Sequence, residues 1–179
     1  MVKIVKLKAN DITSNMLSNF NHSQRITSKW IYRNHQWEVT EASDLREWSE
    51  EKRLWIPQYL HKQIAHGGCV VAAFAEDVFV GFCAVDSGLK GATASYANIT
   101  MLFVDDRWKR KGVGSRLFHE ICKQAKSMKA DKLFISAIPS VETVAFYFRM
   151  GCEDAKEIIP EYVDTEHDRY LECSLATYE

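Results

Sequence analysis

The chain has 179 residues and a formal net charge of -1, so it lacks the general cationic surface that suits long nucleic acid, and any basic cluster is a local feature. Hydrophobic residues make up 46% and charged residues 26%, which excludes a disordered chain and fits one core burying roughly 70% of the unfolded surface. The five cysteines form no CxxC pair and no apolar run reaches about 18 residues, which argues against a zinc site, a disulfide framework and a membrane span.

MVKIVKLKAN has no signal-peptide core, so a cytoplasmic protein is expected. Val2–Leu7 alternates lysines with apolar residues and predicts a strand, and Asp11 offers a cap for a helix toward Phe20. Trp30 and Tyr32 on one side of Asn34-His35-Gln36, with Trp37 and Val39 on the other, predict a hairpin over residues 29–39. Ser49 before Glu50 and Glu51 predicts a helix to His66, kinked at Pro57 and stopped by Gly67-Gly68. Strands follow over 69–75, 78–85 and 96–104, the last ending in the continuous apolar run MLFV of a strand covered on both faces.

Beyond Gly112, Val113, Leu117, Phe118, Ile121, Cys122, Ala125 and Met128 recur at helical spacing. A strand over 132–137, a helix over 141–150 ended by Gly151, and a strand pair 153–159 with 170–175 complete the chain. His119-Glu120 begins like a zinc-protease helix but lacks the second histidine, and reads as a solvated helix position.

The chemistry concentrates in VDDRWKRKGVGSRLF, residues 104–118. A strand, a basic loop and a helix starting at Gly112 make an anion site, because the first N–H groups of a helix lack partners and carry partial positive charge. Gly112 and Gly114 let a phosphate approach the main chain, while Asp105 and Asp106 offset part of the positive charge. A P-loop would need GxxxxGK[ST], and a Rossmann turn would need a small residue where Leu117 stands. A lysine-rich surface turn with a glycine cap is the plain alternative, and nucleic-acid binding through the basic turn is another.

With its flanks, LFVDDRWKRKGVGSRLF resembles motif A of the GNAT superfamily of acyl-CoA-dependent N-acetyltransferases. Ser140 to Cys152 is similar to that family's N-x-x-A-x-x-[FY]-Y-x-x-x-G-F helix: Phe146, Tyr147 and Gly151 match, whereas Ser140, Thr143 and Cys152 depart from it. Lys109 stands where the family has Arg or Gln, keeping the charge without the forked geometry.

The resemblance covers roughly residues 69–175 and implies an α/β (α+β) fold, with one mixed, mostly antiparallel sheet flanked by helices and splayed between strands 4 and 5. It implies one domain over 1–179, with an acceptor region in 1–68 and an acyl-CoA-binding core in 69–175. The implied cosubstrate is acetyl-CoA, with no metal. Its pyrophosphate falls to Lys109, Arg110, Lys111, Gly112, Val113, Gly114 and Ser115, its pantetheine arm to Leu102, Phe103 and Val104, with Ser140 and Tyr147 also in contact.

Tyr147 is the implied catalytic proton donor to the departing thiolate, since a phenol near pKa 10 stands above a thiol near 8.5. The base stays open. Asn98 occupies the position where some relatives carry a glutamate and cannot take a proton, which leaves water, Glu142, Glu41 or another carboxylate. Trp30, Trp37, Trp48 and Trp55 with nearby glutamates would suit a cationic amine, or else are core tryptophans beside solvated acids. The implied partners are acetyl-CoA and an unidentified amine, with no nucleic acid or membrane and with a homodimer as the family's common assembly. A non-catalytic acyl-CoA-binding module remains the alternative to an N-acetyltransferase.

Overall fold

Two apolar strands joined by a two-residue turn set the frame of the protein, whose computed structural model describes residues 1–178. β1 (Val2–Lys6), β4 (Cys69–Ala75), β5 (Val78–Val85), β6 (Tyr96–Val104), β7 (Lys132–Ala137), β8 (Glu153–Asp154) and β9 (Arg169–Ser174) form a seven-stranded sheet in the order β1-β4-β5-β6-β7-β9-β8. All pairings are antiparallel except β6 with β7. β2 (Ser23–Arg33) and β3 (Gln36–Glu47) form a separate hairpin.

α2 (Val113–Ser127) crosses over between β6 and β7, as a parallel pair requires. Its stripe of Val113, Leu117, Phe118, Ile121, Cys122 and Ala125 is buried against one sheet face, at about 1.5–3 kcal/mol for each large side chain. α3 (Val141–Arg149) lies on the same face, while α1 (Glu50–Ala65), capped by Ser49, covers the other through Ile56 and Leu60. The five cysteines lie buried and unpaired. Among the described residues no helix is long and apolar enough to cross a membrane.

The sheet opens in the middle. β6 pairs β7 only from Tyr96↔Lys132 to Ile99↔Ile135, and β6 then continues to Val104 without a partner on that side. The register of β6 on β5 also shifts, Ala84 facing Met101 and Val85 facing Ile99, so Thr100 is an extra residue that bends the strand at the vertex. The split lies between the fourth and fifth strands of the sheet order.

Three expectations are corrected. Residues 11–20 form no helix: a short 3-10 turn spans Ala9–Asp11, and the Asp11 carboxylate accepts from the Lys8 N–H behind it instead of capping forward. Thr13, Asn15, Ser18 and Asn19 favour such local turns over a helix interior. The hairpin runs far beyond residues 29–39. The strand expected over 153–159 stops at Asp154, because the Lys156 N–H goes to the Glu172 carboxylate and Glu157 accepts from the N–H groups of Ala92 and Thr93.

The hairpin turn holds Asn34 and His35 at φ of 51° and 62°, the left-handed pair of a type I′ turn. Asn tolerates that region, whereas a His side chain is crowded there. His35→Gly is therefore expected to stabilise the protein by about 0.5–1 kcal/mol, read as a raised urea midpoint at unchanged slope.

Candidate active site

The open arm of β6 presents unpaired backbone. The Asp105 N–H donates to Val80 O, and alternation along the strand turns Phe103 toward β5 as well, so Leu102 and Val104 direct their N–H and C=O groups into the split. Of the three strand residues expected to meet a pantetheine arm, Leu102 turns both main-chain groups and Val104 its N–H into the split, the Val104 O lies 3.5 Å from His22 Nδ1, and Phe103 faces β5. The Leu102 and Val104 side chains pack on the α2 side, against the cluster that contains Tyr147.

The loop after β6 divides its charges. Asp105 is fully buried and accepts from the Arg107 side chain and from the N–H groups of Asn21 and Arg107. Burial works to raise its carboxyl, but these hydrogen bonds outweigh it and hold it below the ordinary value. Lys109 lies 2.5 Å from Asp106 and donates to Ser23 O, so its charge is paired within the protein. Arg110 and Lys111 are exposed and form no ion pair among the described residues.

Behind them Gly112 caps α2 at φ 79°, with no atom within 4 Å of where a Cβ would stand. A left-handed backbone beside open space is what an anion cradle needs, and the N–H groups of Val113, Gly114 and Ser115 in the first turn have no intrahelical acceptor. The Val113 side chain itself enters the core. At Gly114 a Cβ would meet the Phe146 ring at 3.4 Å and Val104 Cγ2 at 3.7 Å, ordinary contact distances, so packing alone would admit an alanine there.

Tyr147 projects from α3 into the same core, edge-on to Phe118 and Phe146 at 6.0 and 5.2 Å. Burial, with Cys83 and Cys152 nearby, pushes its phenol above the ordinary value. Ser140 is buried and already committed as the cap of α3: its Oγ accepts from the Thr143 N–H and donates to Thr143 Oγ1, and it also accepts from Gln24 Nε2. Glu41 lies exposed on β3 and Glu142 exposed on α3.

Gln24 belongs to the hairpin, which bridges the two arms of the split. At the β6 arm, Ser23 donates to Asp106 through its N–H and Oγ; at the β7 arm, the Trp30 N–H donates to Pro139 O at 2.7 Å. Trp30 and Trp37 then enclose the protein's own Arg169, whose guanidinium lies 4.9 and 4.5 Å from their ring centroids and 5.1 Å from Phe148. This corrects the reading of these tryptophans as core or ligand residues. Trp48 joins the core against Phe20 and Phe82, and Trp55 stacks on Tyr59 at the α1 surface.

Sequence reasoning passed over His22, which lies against Phe103 and Trp48 with Nδ1 3.5 Å from Val104 O. Burial, then the charge of Lys109, lowers its pKa to about 4, so it is neutral at pH 7.

Comparisons agree with this geometry. Among solved structures, one from Bacillus anthracis str. Ames, assigned as a streptothricin acetyltransferase and holding acetyl coenzyme A, is 19% identical, with a TM-score of 0.68 over 97% of this chain and 99% of that one. Nourseothricin acetyltransferase is 13% identical, with a TM-score of 0.67 over 97% and 98%. The PaiA N-acetyltransferase of Thermoplasma acidophilum, in complex with coenzyme A, is 14% identical, with a TM-score of 0.59 over 97% and 99%. At these identities the likeness is one of fold. A search of curated proteins returns no match. The family model described as "Acetyltransferase (GNAT) domain" matches residues 20–160, which takes in the hairpin, the split sheet, the Gly112 loop and α3. A match over most of the sequence, around a fold that neighbours share end to end, makes the chain a member of the GNAT acetyltransferase family.

Proposed function

We propose that the protein transfers an acetyl group from acetyl-CoA to a primary amine by direct attack. The observation that carries this reading is the junction at the end of β6, where the open main-chain groups of Leu102 and the Val104 N–H lead to the unpaired N–H groups of α2. An extended amide-bearing arm can pair with the former as an added strand, and a pyrophosphate can sit on the latter. Gly112 leaves room for it, and Arg110 and Lys111 supply charge.

Acyl transfer forms a C–N bond and breaks a C–S bond; the nitrogen must shed a proton and the departing thiolate must gain one. Leu102 N–H, aimed into the split, suits the developing oxyanion. The raised phenol of Tyr147 stays protonated at neutral pH and is a donor for the thiolate. Asn98 cannot act as base, so proton removal falls to water or to a carboxylate facing the split. Neighbours of the same fold that hold acetyl coenzyme A or coenzyme A support the donor.

Release of free thiol from acetyl-CoA on addition of amines is the expected result. Gly112→Asp tests the cradle: Asp tolerates a left-handed backbone, and its carboxylate would stand where the pyrophosphate is placed. The variant is expected to raise the KM for acetyl-CoA by about tenfold or more, and an unchanged KM would remove Gly112 from the donor site.

A further inference from the structure

β6 and β7 pair only as far as Ile99↔Ile135, so sheet hydrogen bonds do not set the distance between the two arms beyond that vertex. One arm carries Leu102, and the other leads through Ser140 into α3, which carries Tyr147. Two consecutive residues of β2 hold opposite sides of the gap. Ser23 donates to Asp106 at the end of the β6 arm, through its N–H at 2.9 Å and its Oγ at 2.8 Å. Gln24 Nε2 donates to Ser140 Oγ at 3.1 Å and to Thr143 Oγ1 at 2.9 Å on the other arm. Neighbouring side chains of a strand point in opposite directions, which is why one step along β2 reaches both arms. The β6 side of the tie is held further, by the Asn21 N–H on Asp105 and by Lys109 Nζ on Ser23 O.

The Gln24 contact is not needed to finish the helix. Ser140 Oγ already accepts from the Thr143 N–H and donates to Thr143 Oγ1, so the cap of α3 is complete within α3. What the carboxamide adds is a link across the split. Thr143 and Tyr147 stand four residues apart and share one face of α3, so a displacement of the first turn is carried to the phenol. From the α2 side Tyr147 is met by the edge of Phe118, an apolar contact that tolerates sliding, whereas a hydrogen bond is directional.

The thioester oxygen and sulfur are bonded to one carbon. The Leu102 N–H on one arm and the Tyr147 hydroxyl on the other must therefore reach one small group at the same moment, and the gap between the arms becomes a determinant of rate. We propose that Gln24 is a positioning residue of the transferase: it ties α3 to the β6 arm, fixes where Tyr147 stands relative to Leu102, and does so without touching acetyl-CoA. The inference rests on the transferase reading.

The test measures thiol release from acetyl-CoA by the full chain, with the fastest of pentylamine, 2-phenylethylamine and lysinamide as acceptor. Gln24→Met keeps the length of the side chain and loses both hydrogen bonds; it is expected to lower kcat about tenfold while calorimetry shows coenzyme A affinity within about twofold of the parent. Thr143→Val removes the same link from its other end and should match it, whereas Thr143→Ser, which keeps the hydroxyl, should stay within about threefold of the parent rate. Combining Gln24→Met with Thr143→Val should cost no more than about twofold beyond either alone. In a Tyr147→Phe background Gln24→Met should have no further effect, because the group it positions is gone, while a general weakening of the fold would slow that enzyme as well. A Gln24→Met enzyme within about threefold of the parent, a loss that persists in the Tyr147→Phe background, or a Thr143→Ser enzyme as slow as Thr143→Val would overturn the proposal and leave the transferase standing. No thiol from the parent with any of the three amines would overturn the transferase reading and this inference with it.

Discussion

Tyr147→Phe is expected to lower kcat about 10²- to 10⁴-fold while leaving the affinity for acetyl-CoA within about twofold. The substitution removes one oxygen and keeps the ring, so the edge-on contacts with Phe118 and Phe146 survive and the fold should be unchanged. The phenol is deeply buried, and that burial raises its pKa, which keeps the proton on oxygen throughout the neutral range and makes it available to a thiolate. Loss of the hydroxyl would leave the departing sulfur to be protonated by solvent. Single-turnover release of thiol, compared with acetyl-CoA binding by calorimetry, checks the separation of rate from affinity. A variant that turns over within about threefold of the parent would leave Tyr147 as a packing residue only.

The second large effect concerns stability. Arg169 is 5% exposed, its Nε and Nη2 donate to Asp154 at 2.7 and 2.8 Å, and its Nη1 finds no partner, so three aromatic faces replace water around the charge. Asp154 is half exposed, which discounts the ion pair, and the larger loss on truncation is the packing and cation–π contact with Trp30, Trp37 and Phe148. Arg169→Ala is expected to cost about 3 kcal/mol, a fall of roughly 6–12 °C in Tm for a chain of this size. Arg169→Met, which keeps the length and removes the charge, should recover part of that loss. The emission of Trp30 and Trp37 should shift to the red in Arg169→Ala as the hairpin tip loses its seat. A melting temperature within about 2 °C of the parent would mean that the guanidinium does not hold the hairpin.

The core of the fold was legible because its signals are periodic and dense. The α2 stripe repeats over four turns, and β4, β5 and β6 are apolar on both faces, as strands covered by helices must be. The hairpin was read too short because its strands are exposed over much of their length, so no buried face marks where they begin and end. The helix expected after Asp11 failed for a local reason, a carboxylate bonding backward in a run of turn-forming residues.

At the site, the glycine-marked backbone cradle could be read directly, because a left-handed cap demands a particular residue. The cations around it could not. Only the folded chain shows that Asp106 neutralises Lys109 three residues away and that Asp105 holds Arg107. The tryptophans suggested a cation-binding surface, and the cation proved to be Arg169, far along the sequence and brought there by β9.

The hairpin that spans the split also constrains the order of assembly. Gln24 meets Ser140 across 116 residues and Ser23 meets Asp106 across 83, so neither anchor exists for a chain that has emerged only as far as α1. Closing loops of that length costs entropy that only an existing surface can repay. β4 and β5, by contrast, are neighbours in sequence and can zip early. The roof over the split is therefore among the last parts of the molecule to gain its contacts, and until α3 and β9 are in place residues 23–47 form a two-stranded ribbon anchored at the β6 arm alone.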